Sequence, residues 1–282
     1  MADSSPDEVH GWKIGYTVSP TQWRLLAPVF VLIAAEATIL LRQITLGLLL
    51  HASVLLVLLW IVSTGSEYAY IYEVLTLVPL LRILNLGTGI LAFSPYLWLG
   101  GVYFLMLGSI ILIMRNYREG CDEIGFSWHT FRNQRWLVVA GVVVGTGLGV
   151  AQWFMDLEQP PAEPTLVNTV LAVLVTGVLV GFVEEVLFRG LLQRWLSDLL
   201  DVRISVLTVS VLFGFMHSVW LNSLDVVFAF VVSLMLGVIY ARTRNFWFIM
   251  LVHAMINAMA FGLLPLLVES PSLEIGFSLA GV

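Results

Sequence analysis

The stretch LVNTVLAVLVTGVLVGFVEEVLFRG, residues 166–190, decides the fold and poses the functional question. It opens with a long uncharged apolar run and then places Glu184, Glu185 and Arg189 within six residues. A helix needs about 20 predominantly apolar residues to cross a bilayer. Ionisable groups at that depth are expensive and mark function by default. The segment therefore reads as a membrane helix carrying charges that the rest of the chain must justify.

Composition supports that reading along the whole length. Of 282 residues, 59% are hydrophobic and 11% charged, with a mean hydropathy of +0.95. In a soluble domain about a quarter of residues carry charge. In hydrocarbon the backbone must satisfy its own hydrogen bonds, so the expected fold is all-α, a polytopic transmembrane helical bundle. Spans are expected at 25–41, 44–63, 96–114, 137–155, 166–183 running on as helix to about 200, 204–221, 224–241 and 246–268. The region 71–93, interrupted by Pro79 and Arg82, either spans or lies at the interface, which makes eight or nine spans. The 13 Lys and Arg are scattered under a net charge of -6, so no nucleic-acid partner is expected. Cys121 is the single cysteine and can form neither an internal disulfide nor a cysteine metal site. The polar, acidic N-terminus has no cleavable-signal pattern, so the first span is expected to drive insertion.

Basic residues concentrate in cytoplasmic loops. Arg115, Arg118, Arg132 and Arg135 lie in the loop 115–135, Arg189, Arg194 and Arg203 in 189–203, and Arg242 and Arg244 in 241–245. The intervening loops 156–164 and 221–225 have none, which places the tail with Glu269 and Glu274 outside. The orientation of the N-terminus depends on whether 71–93 spans. The chain divides at the polar loop into an N-terminal membrane region, 1–136, a helical core, 137–270, and a short tail, 271–282.

Polar groups recur at helical spacing in the C-terminal half. Glu185 and Arg189 are four apart, acid first, the favourable order for a pair on one helix face. Glu184 is offset by about 100° and is left to meet another partner. VLFGFMHSVW places His217 four residues after Phe213, and LVHAMINAM places His253 and Asn257 four apart. An unpaired polar group in an apolar bundle costs on the order of several kcal/mol, so these side chains are expected to form one cluster. A carboxylate beside an imidazole can deprotonate water. An imidazole and an amide on one face can donate to a developing oxyanion. That is a hydrolase constellation without a serine or cysteine nucleophile. Glu184, His217 and His253 can equally hold Zn²⁺ with a water as fourth ligand, and the spacing leaves both mechanisms open, although HExxH is absent.

EEVLFR, FGFMH and HAMIN resemble, in order and spacing, the EExxxR, FxxxH and HxxxN motifs of the CAAX protease and bacteriocin-processing family of intramembrane proteases. That family includes the type II CAAX prenyl endopeptidase, the Ras-converting enzyme. EExxxR alone is a weak signal; three motifs in sequence, each in its own apolar span, are specific. The resemblance covers roughly 137–270 and implies that Glu184 and His217 activate water, that His253 and Asn257 donate to the oxyanion, and that Glu185, Arg189 and Phe213 support them. It implies a membrane-associated or lipidated peptide as substrate, the lipid bilayer as surroundings, a cavity opening to one leaflet or the cytoplasm, and a prokaryotic plasma membrane as location. The rival from another class is a transporter or proton relay built on the same acids and imidazoles. A non-catalytic family member acting in bacteriocin immunity is a third.

Depth sets a condition. A span ending near residue 183 leaves Glu184 close to the membrane surface, whereas His217 lies about 20 Å along its helix from the same side. A tilt, a kink near Gly177 or Gly181, or a span placed later is required for both to meet one water. Elsewhere, Glu36 and His51 are expected to pair locally, Arg82 to snorkel at the interface, and His10 and His129 to be solvated. Trp23, Trp60, Trp98, Trp136 and Trp247 are expected as interface anchors, and the glycines of GVVVGTGLGVA, 141–151, as a helix-packing surface.

Overall fold

A computed structural model describes residues 19–86, 94–155 and 162–269. The N-terminal segment with His10, residues 87–93, part of the acidic loop at 156–161 and the tail at 271–282 lie outside the described residues. Among the described residues there is no strand, and nine helices are long and apolar enough to cross a membrane. They are α1 (Pro20–Leu40), α2 (Ile44–Ser63), α3 (Ala69–Leu86), α4 (Pro95–Asn116), α6 (Arg135–Phe154), α7 (Leu166–Ser197), α8 (Val202–Trp220), α9 (Ser223–Thr243) and α10 (Phe246–Val268). A short α5 (Trp128–Asn133) sits in the polar loop. The ambiguous region thus contributes a full span, α3, with Pro79 inside the helix.

Local sequence explains the helix limits. Ser19 caps α1 reciprocally with Gln22, and Pro20 fills the first turn, where its missing N–H costs nothing. Asp201, Asn222 and Asn245 accept backbone N–H groups at the starts of α8, α9 and α10. Leu221 and Arg244, with φ of 54° and 52°, reverse the chain between those helices.

The ninth span decides on which face of the bundle α1 begins. The arginine-bearing segments meet on one face of the bundle: Arg194 Nη2 lies 2.6 Å from Glu119 Oε2, and Arg244 Nη2 donates to the Glu123 carbonyl at 3.0 Å. Counting helices back from that face puts the start of α1 on it too. Gln22 agrees, donating to the Leu199 carbonyl at 2.6 Å, as does the Tyr117–Glu73 bond at 2.9 Å between the end of α4 and the start of α3.

The depth condition is met by the later span. α7 continues to Ser197, so Glu184 lies 13 residues before its end, and His217 lies 15 residues after Val202 begins α8. At 1.5 Å per residue both are about 20 Å from the connection between the two helices. Gly177 and Gly181 serve close approach: a Cβ on Gly177 would meet the Ala254 carbonyl at 3.1 Å, and one on Gly181 the Ala254 nitrogen at 3.3 Å. The irregularity in α7 is instead a change of winding, π-helical over Ala172–Val180 and Val186–Gln193 around an α-helical Gly181–Glu185. Such wide turns are rare and frequent at functional sites.

Helix association in lipid relies on close packing rather than on hydrophobic drive, which favours small residues at contacts. The most extensive helix contact is between α6 and α10. It follows a glycine ridge: a Cβ would meet the Phe248 carbonyl at 3.0 Å from Gly141, the Val252 carbonyl at 2.5 Å from Gly145, and the Met259 Cβ at 2.7 Å from Gly149. Gly147, on another face of α6, has nothing within 4 Å. Gly145→Val is expected to lower thermal stability in detergent by about 1–3 kcal/mol, the scale of overpacking. Gly147→Val should stay within experimental error of the parent. Equal melting temperatures for the two variants would refute the ridge.

Candidate active site

Glu184 and Glu185 leave adjacent positions of α7 in different directions. Glu185 is fully buried and faces α10 and α9. Its Oε1 takes Arg189 Nη1 at 3.0 Å and His253 Nδ1 at 2.8 Å. Arg189, equally buried, donates through Nη2 to Ser233 Oγ at 2.8 Å and to the Ser233 carbonyl at 3.3 Å. Its guanidinium also stacks on the Phe213 ring, 4.6 Å from the centroid. One buried acid is thus held by a cation and an imidazole, the condition under which a charge can stay in an apolar interior.

Glu184 faces a cavity of about 560 Å³. Its Oε1 accepts the phenol of Tyr103 from α4, and its Oε2 lies 3.7 Å from His253 Nε2. That separation exceeds a hydrogen bond and lies within reach of an ion pair. His253 therefore spans the two glutamates, with its Nδ1 on Glu185 and its Nε2 toward Glu184. Asn257, one turn on, donates Nδ2 to the Thr176 carbonyl at 2.9 Å, which fixes the plane of its amide beside the cavity.

His217 arrives differently from the helix interior that its sequence suggests. The α-helical part of α8 ends at Phe215, and Met216–Trp220 tightens into a 3₁₀ turn closed by the left-handed Leu221. His217 Nδ1 meets the Phe213 carbonyl at 3.1 Å, which orients the ring. Phe213 lies between the two histidines, 5.1 Å from the ring of His217 and 5.9 Å from that of His253. Glu184, His217, His253 and Asn257 all line the same cavity, with Phe188, Phe213, Val232 and Ile256 among its apolar walls. The lining continues toward the helix ends remote from the arginine-bearing face, where Pro95 opens α4, Asp225 lies near the start of α9 and Trp220 closes α8.

Among the described residues no three His, Cys, Asp or Glu side chains are grouped to hold a metal ion. One oxygen of Glu184 takes a phenol, and protein oxygens engage Nδ1 of each histidine, an orienting contact that also accompanies metal-bound histidines.

Two contributors escape a motif-based reading. Tyr103 sits in an apolar span with no flanking polar pattern, 81 residues from Glu184. Arg82 is no interfacial snorkeller: it is 1% exposed, donates Nε to Glu36 Oε1 at 2.8 Å and Nη2 to the Met216 carbonyl, and lines the cavity. Glu36, on the neighbouring α1, supplies the countercharge at its depth, so the guanidinium need not reach water. His51 Nε2 lies 3.3 Å from the same oxygen, the local pairing expected of Glu36 and His51, and Ser218 Oγ donates to the other carboxylate oxygen.

No curated protein and no solved structure matches the chain. Residues 166–259 match the family model described as type II CAAX prenyl endopeptidase Rce1-like. Over that third of the chain, which holds EEVLFR, FGFMH and HAMIN, the protein carries the signature of the Rce1-like family.

Proposed function

We propose that the protein is an intramembrane endopeptidase that hydrolyses a peptide bond of a membrane-associated, prenylated substrate at the cavity lined by Glu184, His217, His253 and Asn257. The observation that carries this reading is the sharing of one cavity by four side chains from three helices separated by up to 73 residues. A prokaryotic plasma membrane is the proposed setting.

The Glu184 carboxylate, with His217, takes a proton from water as its oxygen bonds to the scissile carbonyl carbon. The carbonyl oxygen becomes an oxyanion, received by His253 Nε2–H and the Asn257 amide. Glu185 stabilises the imidazolium that such a donation requires, because its carboxylate accepts from Nδ1 on the far side of the ring. As the C–N bond breaks, the proton held by Glu184 passes to the leaving nitrogen, giving an amine and a carboxylic acid. Tyr103 holds one oxygen of Glu184 and leaves the other facing the reacting water. Apolar walls exclude bulk water and strengthen each electrostatic contact.

The test uses the purified full chain in lipid nanodiscs and a fluorogenic peptide ending in a prenylated CAAX sequence. Glu184→Gln is expected to lower kcat by at least about 10²-fold, the scale of a lost general base, while Glu163→Gln, in an exposed loop, should cleave as the parent does. Undiminished cleavage by the Glu184 variant would end the protease assignment. Tyr103→Phe removes one hydrogen bond to an ionised group, worth about 1.5–3 kcal/mol, and should reduce kcat roughly 10- to 100-fold with KM little changed. A chelator such as 1,10-phenanthroline is expected to leave turnover intact; chelator-sensitive activity restored by Zn²⁺ would refute the metal-free scheme.

A further inference from the structure

We propose that the buried Glu36–Arg82 pair, carried by α1 and α3, is a positioning device for His217. The inference rests on the reading of His217 as the partner of Glu184 in activating water.

The two residues that flank His217 are each bonded to one member of the pair. Arg82 Nη2 donates to the Met216 carbonyl, and Ser218 Oγ donates to Glu36 Oε2. Met216 opens the 3₁₀ turn, where the α-helical ladder of α8 has ended. A guanidinium can take that carbonyl without displacing an α-helical bond. The pair itself is fixed: Arg82 Nε to Glu36 Oε1 is 2.8 Å, His51 Nε2 approaches the same oxygen at 3.3 Å, and Glu36, His51 and Ser218 are fully buried with Arg82 at 1% exposure.

The ring of His217 is oriented by the Phe213 carbonyl at 3.1 Å. That bond fixes the ring relative to α8. The position of the turn relative to α7, which carries Glu184, is set by what grips the turn from outside, and α1 and α3 do so on both sides of the histidine. α1 packs directly against the turn and α3 against the π-helical part of α7. The same two N-terminal helices therefore touch both catalytic elements. Neutralising two buried charges would need only the Glu36–Arg82 contact. The additional bonds to Met216 and Ser218 spend polar capacity on a backbone carbonyl and a hydroxyl immediately either side of one imidazole.

The test compares Ser218→Ala, which removes one hydroxyl and leaves the ion pair, with Glu36→Gln, which keeps the shape and removes the charge. Each is measured as full chain in nanodiscs by turnover of the prenylated CAAX reporter and by NMR of ¹⁵N-histidine-labelled protein, with the His217 and His253 signals assigned through His→Gln variants. Ser218→Ala is expected to lower kcat roughly tenfold with KM within about twofold, and Glu36→Gln roughly a hundredfold, the range a displacement near 1 Å produces. The His217 ring signal should shift in both variants and that of His253 in neither. Unshifted His217 signals with kcat within about twofold of the parent would overturn the proposal, as would equal shifts at both histidines, which report general loosening. If Glu36→Gln does not fold, Ser218→Ala decides alone. If the parent protein cleaves no reporter, the hydrolytic reading fails, and the His217 signal in Ser218→Ala still decides whether the pair holds the turn.

Discussion

A carboxylate inside an apolar bundle survives as a charge only where a cation and hydrogen-bond donors meet it at its own depth, and this constraint organises the protein. Glu36 and Glu185 are both fully buried, and each is met by one arginine and one histidine: Arg82 and His51 in the first case, Arg189 and His253 in the second. Removing one partner of such a buried pair costs about 3–5 kcal/mol, because the survivor is left uncompensated. The helices that bring these partners are therefore tied in register: α1, α2 and α3 by the first knot, α7, α9 and α10 by the second. Glu184 differs in facing a cavity and meeting a phenol rather than a cation.

The two knots are linked through the 3₁₀ turn that ends α8. Ser218 and Met216 contact the first, and Phe213 lies against Arg189 of the second. His217 lies between Met216 and Ser218, and its ring is 5.1 Å from that of Phe213. Departures from regular α-winding gather here as well, π-helical on either side of Glu184 and Glu185 and 3₁₀ at His217. Irregular turns change which face a side chain presents, so a side chain can be aimed without breaking the helix that carries it.

Much of this was legible in the residues alone. Hydropathy marks eight spans, the i,i+4 spacing pairs Glu185 with Arg189, and arginine placement sorts the loops to one face. The glycines of 141–151 read as a contact surface, and α10 lies along Gly141, Gly145 and Gly149, with Gly147 on another face. What escaped has a common physical origin. Arg82 looked interfacial because its countercharge lies 46 residues away on another helix, and sequence distance conceals such a partner. Tyr103 stands in an apolar run where tyrosines commonly serve as anchors, so no local pattern distinguishes it. The depth of Glu184 stayed conditional because hydropathy ends the span at the first charge, whereas the helix continues once those charges are paired inside.

The glycine ridge of α6 has one more consequence. That helix places Gln152 at the cavity wall and no acid or imidazole anywhere along it, yet its backbone sets how near α10, with His253 and Asn257, comes to the rest of the bundle. A screen for inactive variants would return hits on α6 that mimic damage to the reacting groups while leaving every one of them intact. Inherited or selected changes there would be misfiled as chemical defects, when their origin is the thickness of a neighbouring wall.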